Sequence, residues 1–153
     1  MFTEIRDITD SNKQEILGLH IADEQEGFIE TVVQCLNEAK EDPRFIPVGL
    51  YKENVPIGFA MYGPFQYPDG MRVWLDRFFI DEHYQGKGYG RYYFKLLILF
   101  LADKYSCERI YLSVYENNLV AIKMYEKFGF KFNGELDVQG EKVMVLNLKN
   151  MQW

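Results

Sequence analysis

The chain has 153 residues, 48% of them apolar, with 17 Lys and Arg against 23 Asp and Glu. That length suits one domain able to bury its own core, and the longest central apolar run, 96–102, is far short of the roughly 20 residues a membrane span needs. The net charge of −6 is uneven, residues 1–42 holding 11 acids and 3 bases and the remainder 12 acids and 14 bases. The first quarter therefore repels nucleic acid, whose binding rests on Lys and Arg against phosphate, and either attracts a cationic ligand or only confers solubility.

Residues 1–7 carry neither the basic start nor the apolar stretch of a secretory signal, so a cytoplasmic location is expected. Cys35 and Cys107 are too few and too far apart for a disulfide framework or a structural zinc site and are expected as reduced thiols. No repeat, low-complexity stretch or Pro/Ser-rich linker divides the chain, which predicts a single domain over 1–153. Residues 3–7 alternate weakly, like a short edge strand. A helix is predicted over 13–22 with Asp10 or Ser11 as cap. A second follows over 28–40, where Phe28, Ile29, Val32, Val33 and Leu36 form an apolar stripe. Strands over 46–51 and 55–63 flank the polar turn Lys52-Glu53-Asn54, and the two prolines and two glycines between Gly63 and Gly70 predict a loop.

Residues 72–80, rich in Val, Trp and Phe, are the densest strand signal. They run through Asp81-Glu82-His83-Tyr84 into Gln85-Gly86-Lys87-Gly88-Tyr89-Gly90. Beyond the glycines, Tyr89, Tyr92, Tyr93, Leu96, Leu97, Phe100 and Leu101 recur at helical spacing. A strand over 109–115 precedes a helix marked by Ala121, Met124, Tyr125 and Phe128, which Gly129 caps. Strands over 130–137 and 142–149 close the chain around a turn at Gln139-Gly140. This order, β-α-α-β-β-β-α-β-α-β-β, predicts an α/β (α+β) fold, a mixed sheet of about seven strands flanked by about four helices.

A strand, a loop with alternate glycines and a long helix together make an anion site. Glycine adopts positive φ and lets the backbone approach a ligand, so successive N–H groups converge on phosphate oxygens, and the helix adds the positive end of its dipole. Two other phosphate loops do not fit. No G-x-x-x-x-G-K-[ST] occurs, and Arg91 stands where the third glycine of G-x-G-x-x-G belongs. Taken alone, the glycines also suit a turn without function.

Gln85-x-x-Gly88-x-Gly90, with Asn118-x-x-Ala121-x-x-x-Tyr125-x-x-x-Gly129-Phe130 about thirty residues on, resembles the GNAT superfamily of acetyl-CoA-dependent N-acetyltransferases. Residues 74–81, 109–118 and 132–137 look like bacterial spermine/spermidine (diamine) acetyltransferases. The resemblance implies that the loop holds the pyrophosphate of CoA, with Phe78, Phe79, Ile80, Gln85, Gly86, Lys87, Gly88, Tyr89, Gly90 and Arg91 on the cofactor. Asn118, Ala121 and Tyr125 are then expected beside its pantetheine arm. It implies an N-acetyltransferase acting on a primary amine of a polyamine, with acetyl-CoA as co-substrate, no metal, no nucleic acid or membrane partner, and a homodimer.

Acetyl transfer from a thioester to an amine requires the two held together, a free lone pair on nitrogen and a proton for the leaving thiolate. Direct attack needs no protein nucleophile. An alkyl ammonium has a pKa of about 10.4, so on the order of one molecule in a thousand is neutral at pH 7. Carboxylates that attract the cation raise that value further. Binding and proton removal therefore call for separate groups. Asp76, inside the strand beside the expected acetyl site, is the candidate base; the diamine enzymes commonly carry the longer Glu there, so the shorter Asp favours a water relay over direct reach, and a salt bridge with a neighbouring base is the alternative. Tyr125 is the candidate acid for the thiolate, its phenol donating a hydrogen bond to sulfur as charge develops, although it also fits the apolar stripe of its helix. A backbone N–H near 78–80 is expected to hold the oxyanion.

Glu24, Glu26 and Glu30, with Asp23, are candidates for the acceptor side, and Trp74 and Tyr111 can stack on an ammonium or serve as core. His20 and His83 lack metal-ligand spacing. Two other functions fit the same residues: a transferase for an aminoglycoside or a peptide amino terminus, and a catalytically silent acyl-CoA-binding sensor.

Overall fold

In the computed structural model, which describes residues 2–20 and 31–151, the elements follow the predicted order. They are β1 (Thr3–Asp7), α1 (Lys13–Leu17), α2 (Val32–Glu41), β2 (Ile46–Lys52), β3 (Val55–Tyr67), β4 (Gly70–Ile80), α3 (Tyr89–Tyr105), β5 (Arg109–Val114), α4 (Leu119–Phe128), β6 (Lys131–Leu136) and β7 (Lys142–Asn147). The seven strands make one sheet ordered β1-β2-β3-β4-β5-β7-β6. It is mixed: β4 and β5 run parallel, Val73 beside Ile110 and Trp74 beside Tyr111, whereas β1–β2, β2–β3, β5–β7 and β6–β7 are antiparallel.

The chain falls into two compact units, Met1–Gly63 with Asp76–Leu97, and Pro64–Leu75 with Ile98–Trp153. In the first, Ile16 of α1 and Val32 and Cys35 of α2 pack on Tyr51, Phe59, Met61 and Phe79 of the strands. The helix α2 opens on a capping box, Thr31 accepting from Gln34 N–H while the Gln34 side chain accepts from Thr31 N–H, which satisfies two donors that a helix start otherwise leaves bare. The Tyr93 hydroxyl of α3 donates to the Tyr51 carbonyl at 2.6 Å. Burial pushes that phenol up to about 12, so the bond survives across the physiological pH range. Gly58 lets β3 and β4 close up, since a Cβ there would lie 2.7 Å from the Phe79 carbonyl oxygen.

In the second unit Trp74, Tyr111 and Val143 form a buried cluster with Phe65, Tyr67 and Val145 around it, all from strands. Helix α4 ends, as predicted, on Gly129 in the left-handed region at φ 109°, where a side chain would also meet the Asn150 carbonyl at 2.8 Å.

Four local expectations are corrected. Residues 63–67 are strand, not loop, and only Pro68 and Asp69 turn; Phe65 and Tyr67 pack on the Trp74 cluster, and that burial outweighs the proline and glycine signal. Helix α1 stops at Leu17, followed by Gly18, and its N-cap is Asn12, whose side chain accepts from Thr9 N–H and donates to the Asp7 carbonyl instead of capping. Helix α2 begins at Val32, since Thr31 is its extended N-cap; positions 28–30 of the predicted helix lie outside the described residues. The buried stripe of α3 is Tyr93, Phe94, Leu97, Ile98 and Leu101, while Tyr92 stands 43% exposed. No described helix is long and apolar enough to cross a membrane.

Candidate active site

Within the first unit, β4 delivers the chain to the glycine loop through Asp81, the one buried charged residue among those described. Its Oδ1 accepts from His20 N–H at 2.9 Å, and its Oδ2 from His83 N–H at 3.1 Å and from the His83 ring at 2.8 Å. Glu82 N–H returns a bond to the His20 carbonyl at 3.0 Å. Burial pushes the Asp81 carboxyl up, but the hydrogen bonds from His20 and His83 and the His83 charge outweigh it, leaving the group below its ordinary value. The neighbouring Gln85 side chain donates to the Ile80 carbonyl at 2.8 Å, so the turn into the loop is held at both ends.

The loop itself is bare. Gly86 and Gly88 have φ of 77° and 85°, and a Cβ at either of them or at Gly90 would meet nothing within 4 Å among the described residues. Successive main-chain N–H groups with positive-φ glycines between them, at the head of the long helix α3, suit phosphate oxygens. Lys87 and Arg91 are exposed here, and the Lys87 ammonium lies 5.8 Å from the centre of the Tyr84 ring. Phe79 and Ile80 are buried, whereas Phe78 and Tyr89 are half-buried. Phe78 sits edge-on to Phe94 at 5.5 Å.

Asp76 is half-buried, with its Oδ2 shielded from solvent. The adjacent Arg77 donates to the Asp76 main-chain carbonyl at 2.8 Å and reaches Glu38 of α2 at 3.5 Å. Glu24, Glu26, Glu30 and Asp23 lie outside the described residues.

In the second unit Asn118 is the N-cap of α4, its side chain accepting from Ala121 N–H at 3.4 Å. This gives Asn118 a structural task beside the cofactor role expected of it. Leu119 and Val120, in the first turn, are 63% and 80% exposed, apolar side chains off the buried stripe that the sequence reading passed over. Half-buried Tyr125 has its ring 6.0 Å from that of Phe130. Burial, helped by the Glu141 charge, pushes its hydroxyl up to about 12. A phenol of that strength stays protonated at neutral pH, as a hydrogen-bond donor to a developing thiolate must. The Trp74 and Tyr111 rings lie 5.4 Å apart, and Tyr111 does meet a cation: the guanidinium of Arg72 stands 4.6 Å above it. No group of three or more His, Cys, Asp or Glu that could hold a metal occurs among the described residues.

A mixed sheet carrying a strand, a glycine loop with positive φ and a helix makes this an α/β protein with a loop shaped for an anion. Its family follows from comparison with known proteins. Residues 4–130 match the acetyltransferase (GNAT) family, and the chain belongs to that family. It is 54% identical over 152 residues to a spermine/spermidine N(1)-acetyltransferase of Bacillus subtilis, and equally to a probable spermine N(1)-acetyltransferase of B. subtilis subsp. natto, covering 97% of this chain and 100% of each relative. Among solved structures, a Vibrio cholerae spermidine N-acetyltransferase in complex with CoA and spermine superposes with a TM-score of 0.71 at 17% identity, covering 97% of this chain and 96% of the other. An Escherichia coli ribosomal-protein-S18-alanine N-acetyltransferase superposes at 0.66 and 19%, covering 95% and 94%. Amine and protein acetyltransferases thus share this fold, and the fold alone does not choose the acceptor.

Proposed function

We propose that the protein transfers the acetyl group of acetyl-CoA to a primary amine of a polyamine of the spermine/spermidine class, by direct attack in a ternary complex. The carrying observation is the 54% identity that extends over 97% of this chain and the full length of two relatives bearing that name. The bare loop at Gly86, Gly88 and Gly90 supports the cofactor: its N–H groups and the start of α3 hold the pyrophosphate, and Lys87 and Arg91 add positive charge. Asp76, directly or through an ordered water, receives the proton that the attacking ammonium must lose. As the C–N bond forms and the C–S bond breaks, Tyr125 donates a hydrogen bond to the sulfur, and the second proton, shed by the nitrogen as it becomes an amide, passes through solvent to the thiolate. The acids of the first quarter attract the polycation before reaction.

The same reading has the enzyme acting as a homodimer in the cytoplasm. All six residues of β6, at the end of the sheet, are exposed, Phe132 and Leu136 included. Sedimentation of the purified chain checks the dimer.

Purified protein, acetyl-CoA and a panel of amines, followed by thiol release, tests the function. Turnover is expected with spermine and spermidine. Acetylation confined to an aminoglycoside or a peptide amino terminus would overturn the acceptor, and CoA binding without turnover of any amine would identify a sensor.

A further inference from the structure

The guanidinium of Arg72 lies over the faces of two tyrosines, 4.3 Å from the centre of the Tyr67 ring and 4.6 Å from that of Tyr111. It donates to both oxygens of Glu135 at 2.8 and 3.2 Å and, at longer range, to Asp69 at 3.4 and 3.3 Å. The Arg72 side chain is only 12% exposed. Two electron-rich ring faces and two carboxylates around one volume are the chemistry that selects an organic cation, and here the volume is filled by the chain's own. Beside it Trp74, stacked on Tyr67 at 6.1 Å and 7% exposed, buries its indole N–H without a hydrogen-bond partner among the described residues. Alternation along β4 puts Arg72 and Trp74 on one face of the strand.

We infer that Arg72 is a specificity-determining residue whose guanidinium occupies a cation subsite, lined by Tyr67, Tyr111, Asp69 and Glu135, that would otherwise take a distal ammonium of a long polyamine. The inference rests on the polyamine reading above and refines it. Arg72 acts as a tethered competitor: while it lies over the rings, a longer amine gains nothing there over a short diamine. Removing it leaves two carboxylates and two ring faces with no cation between them.

The test compares spermine with 1,4-diaminobutane, by kcat/KM and, separately, by calorimetric binding in the presence of CoA. R72A is expected to raise the preference for spermine roughly tenfold, the scale of one cation over aromatic faces beside carboxylates. Guanidinium ion at millimolar concentration, which refills the vacated volume, should return the ratio toward wild type, and urea, of the same shape without charge, should not. An unchanged ratio, a shift toward the diamine, or a gain indifferent to guanidinium overturns the inference. If R72A is too unstable to assay, R72Q, which keeps a planar polar group and loses the charge, carries the same expectation and is overturned by the same results. If neither amine is turned over by the wild type, the polyamine reading falls, while a tighter calorimetric binding of spermine to the variant still supports the cation subsite.

Discussion

Between Gln85 and Arg91 the first unit offers a ligand main-chain N–H groups with almost nothing standing over them; around Arg72 the second unit offers rings and carboxylates with the place already taken. An anion as large and diffuse as a pyrophosphate is met by many weak, fixed dipoles, so the chemistry lies in which side chains are missing. A cation is met by faces and carboxylates, so the chemistry lies in which side chains are present and what occupies them. Substitutions should divide accordingly. In the loop, adding atoms does damage that stability measurements do not see, and in the second unit removing atoms changes catalysis or the choice of amine.

Tyr125→Phe gives the largest expected effect on that division. The ring stays against Phe130 and only the hydroxyl goes, so folding should be unchanged while kcat falls on the order of a hundredfold, the usual cost of one donor to a developing anion. The KM for acetyl-CoA should hold. An unaltered kcat would leave Tyr125 as a core ring. Because burial holds this phenol at about 12, it remains protonated up to that pH, and a fall of wild-type kcat near pH 9 or 10 must come from another group.

Asp81→Asn is next, at about 2 kcal/mol from hydrogen bonds to a charged, buried acceptor, or roughly thirtyfold in the folding constant. The carboxyl titrates below its ordinary value when folded. Its contribution is therefore complete above the unfolded pKa of about 4 and is lost as pH falls through the lower folded value. Urea unfolding should show wild type and variant separated at pH 7 and converging well below pH 4; equal separation at both would remove the charge from the explanation. The Asn keeps an acceptor for one side only, so the turn into the glycine loop loosens and acetyl-CoA KM should rise with the loss of stability.

What could be read in the sequence divides along a related line. The glycine loop, the Gly129 cap and the order of elements are local: each depends on residues within a turn or two, and each is visible as turn chemistry or periodicity. Asp81 and Arg72 were not visible in their roles, because the partners that define them lie far along the chain. Asp81 is closed by His20, 61 residues earlier, and Arg72 by Glu135, 63 residues later. The stretch from Pro64 to Tyr67 misled for the same reason: its composition speaks for a loop, and only packing on Trp74 makes it strand. In α3 the spacing was right and the face was rotated by about one residue, since Tyr92 and Phe94 are equally apolar to a pattern and only the sheet decides which is covered.

Gly90→Ala is the smallest change in atoms and separates the two regions most cleanly. Gly90 sits in the first turn of α3 without the positive φ of Gly86 and Gly88, so alanine is sterically free to take its backbone conformation. Among the described residues a Cβ there would meet nothing within 4 Å. On the chain's own account alanine is the better residue, by up to about 1 kcal/mol in a helix, and the melting temperature should hold or rise. A methyl group beside N–H groups that hold a pyrophosphate keeps that ligand at a distance, so the KM for acetyl-CoA should rise roughly tenfold, about 1.4 kcal/mol of binding. Titration of CoA into both proteins, with a melt of each, gives the two numbers. A glycine that costs the fold something and whose replacement costs only the ligand is there for the ligand; if CoA binds G90A as it binds the wild type, the bare surface at the head of α3 faces water, and the anion must sit nearer Gly86 and Gly88.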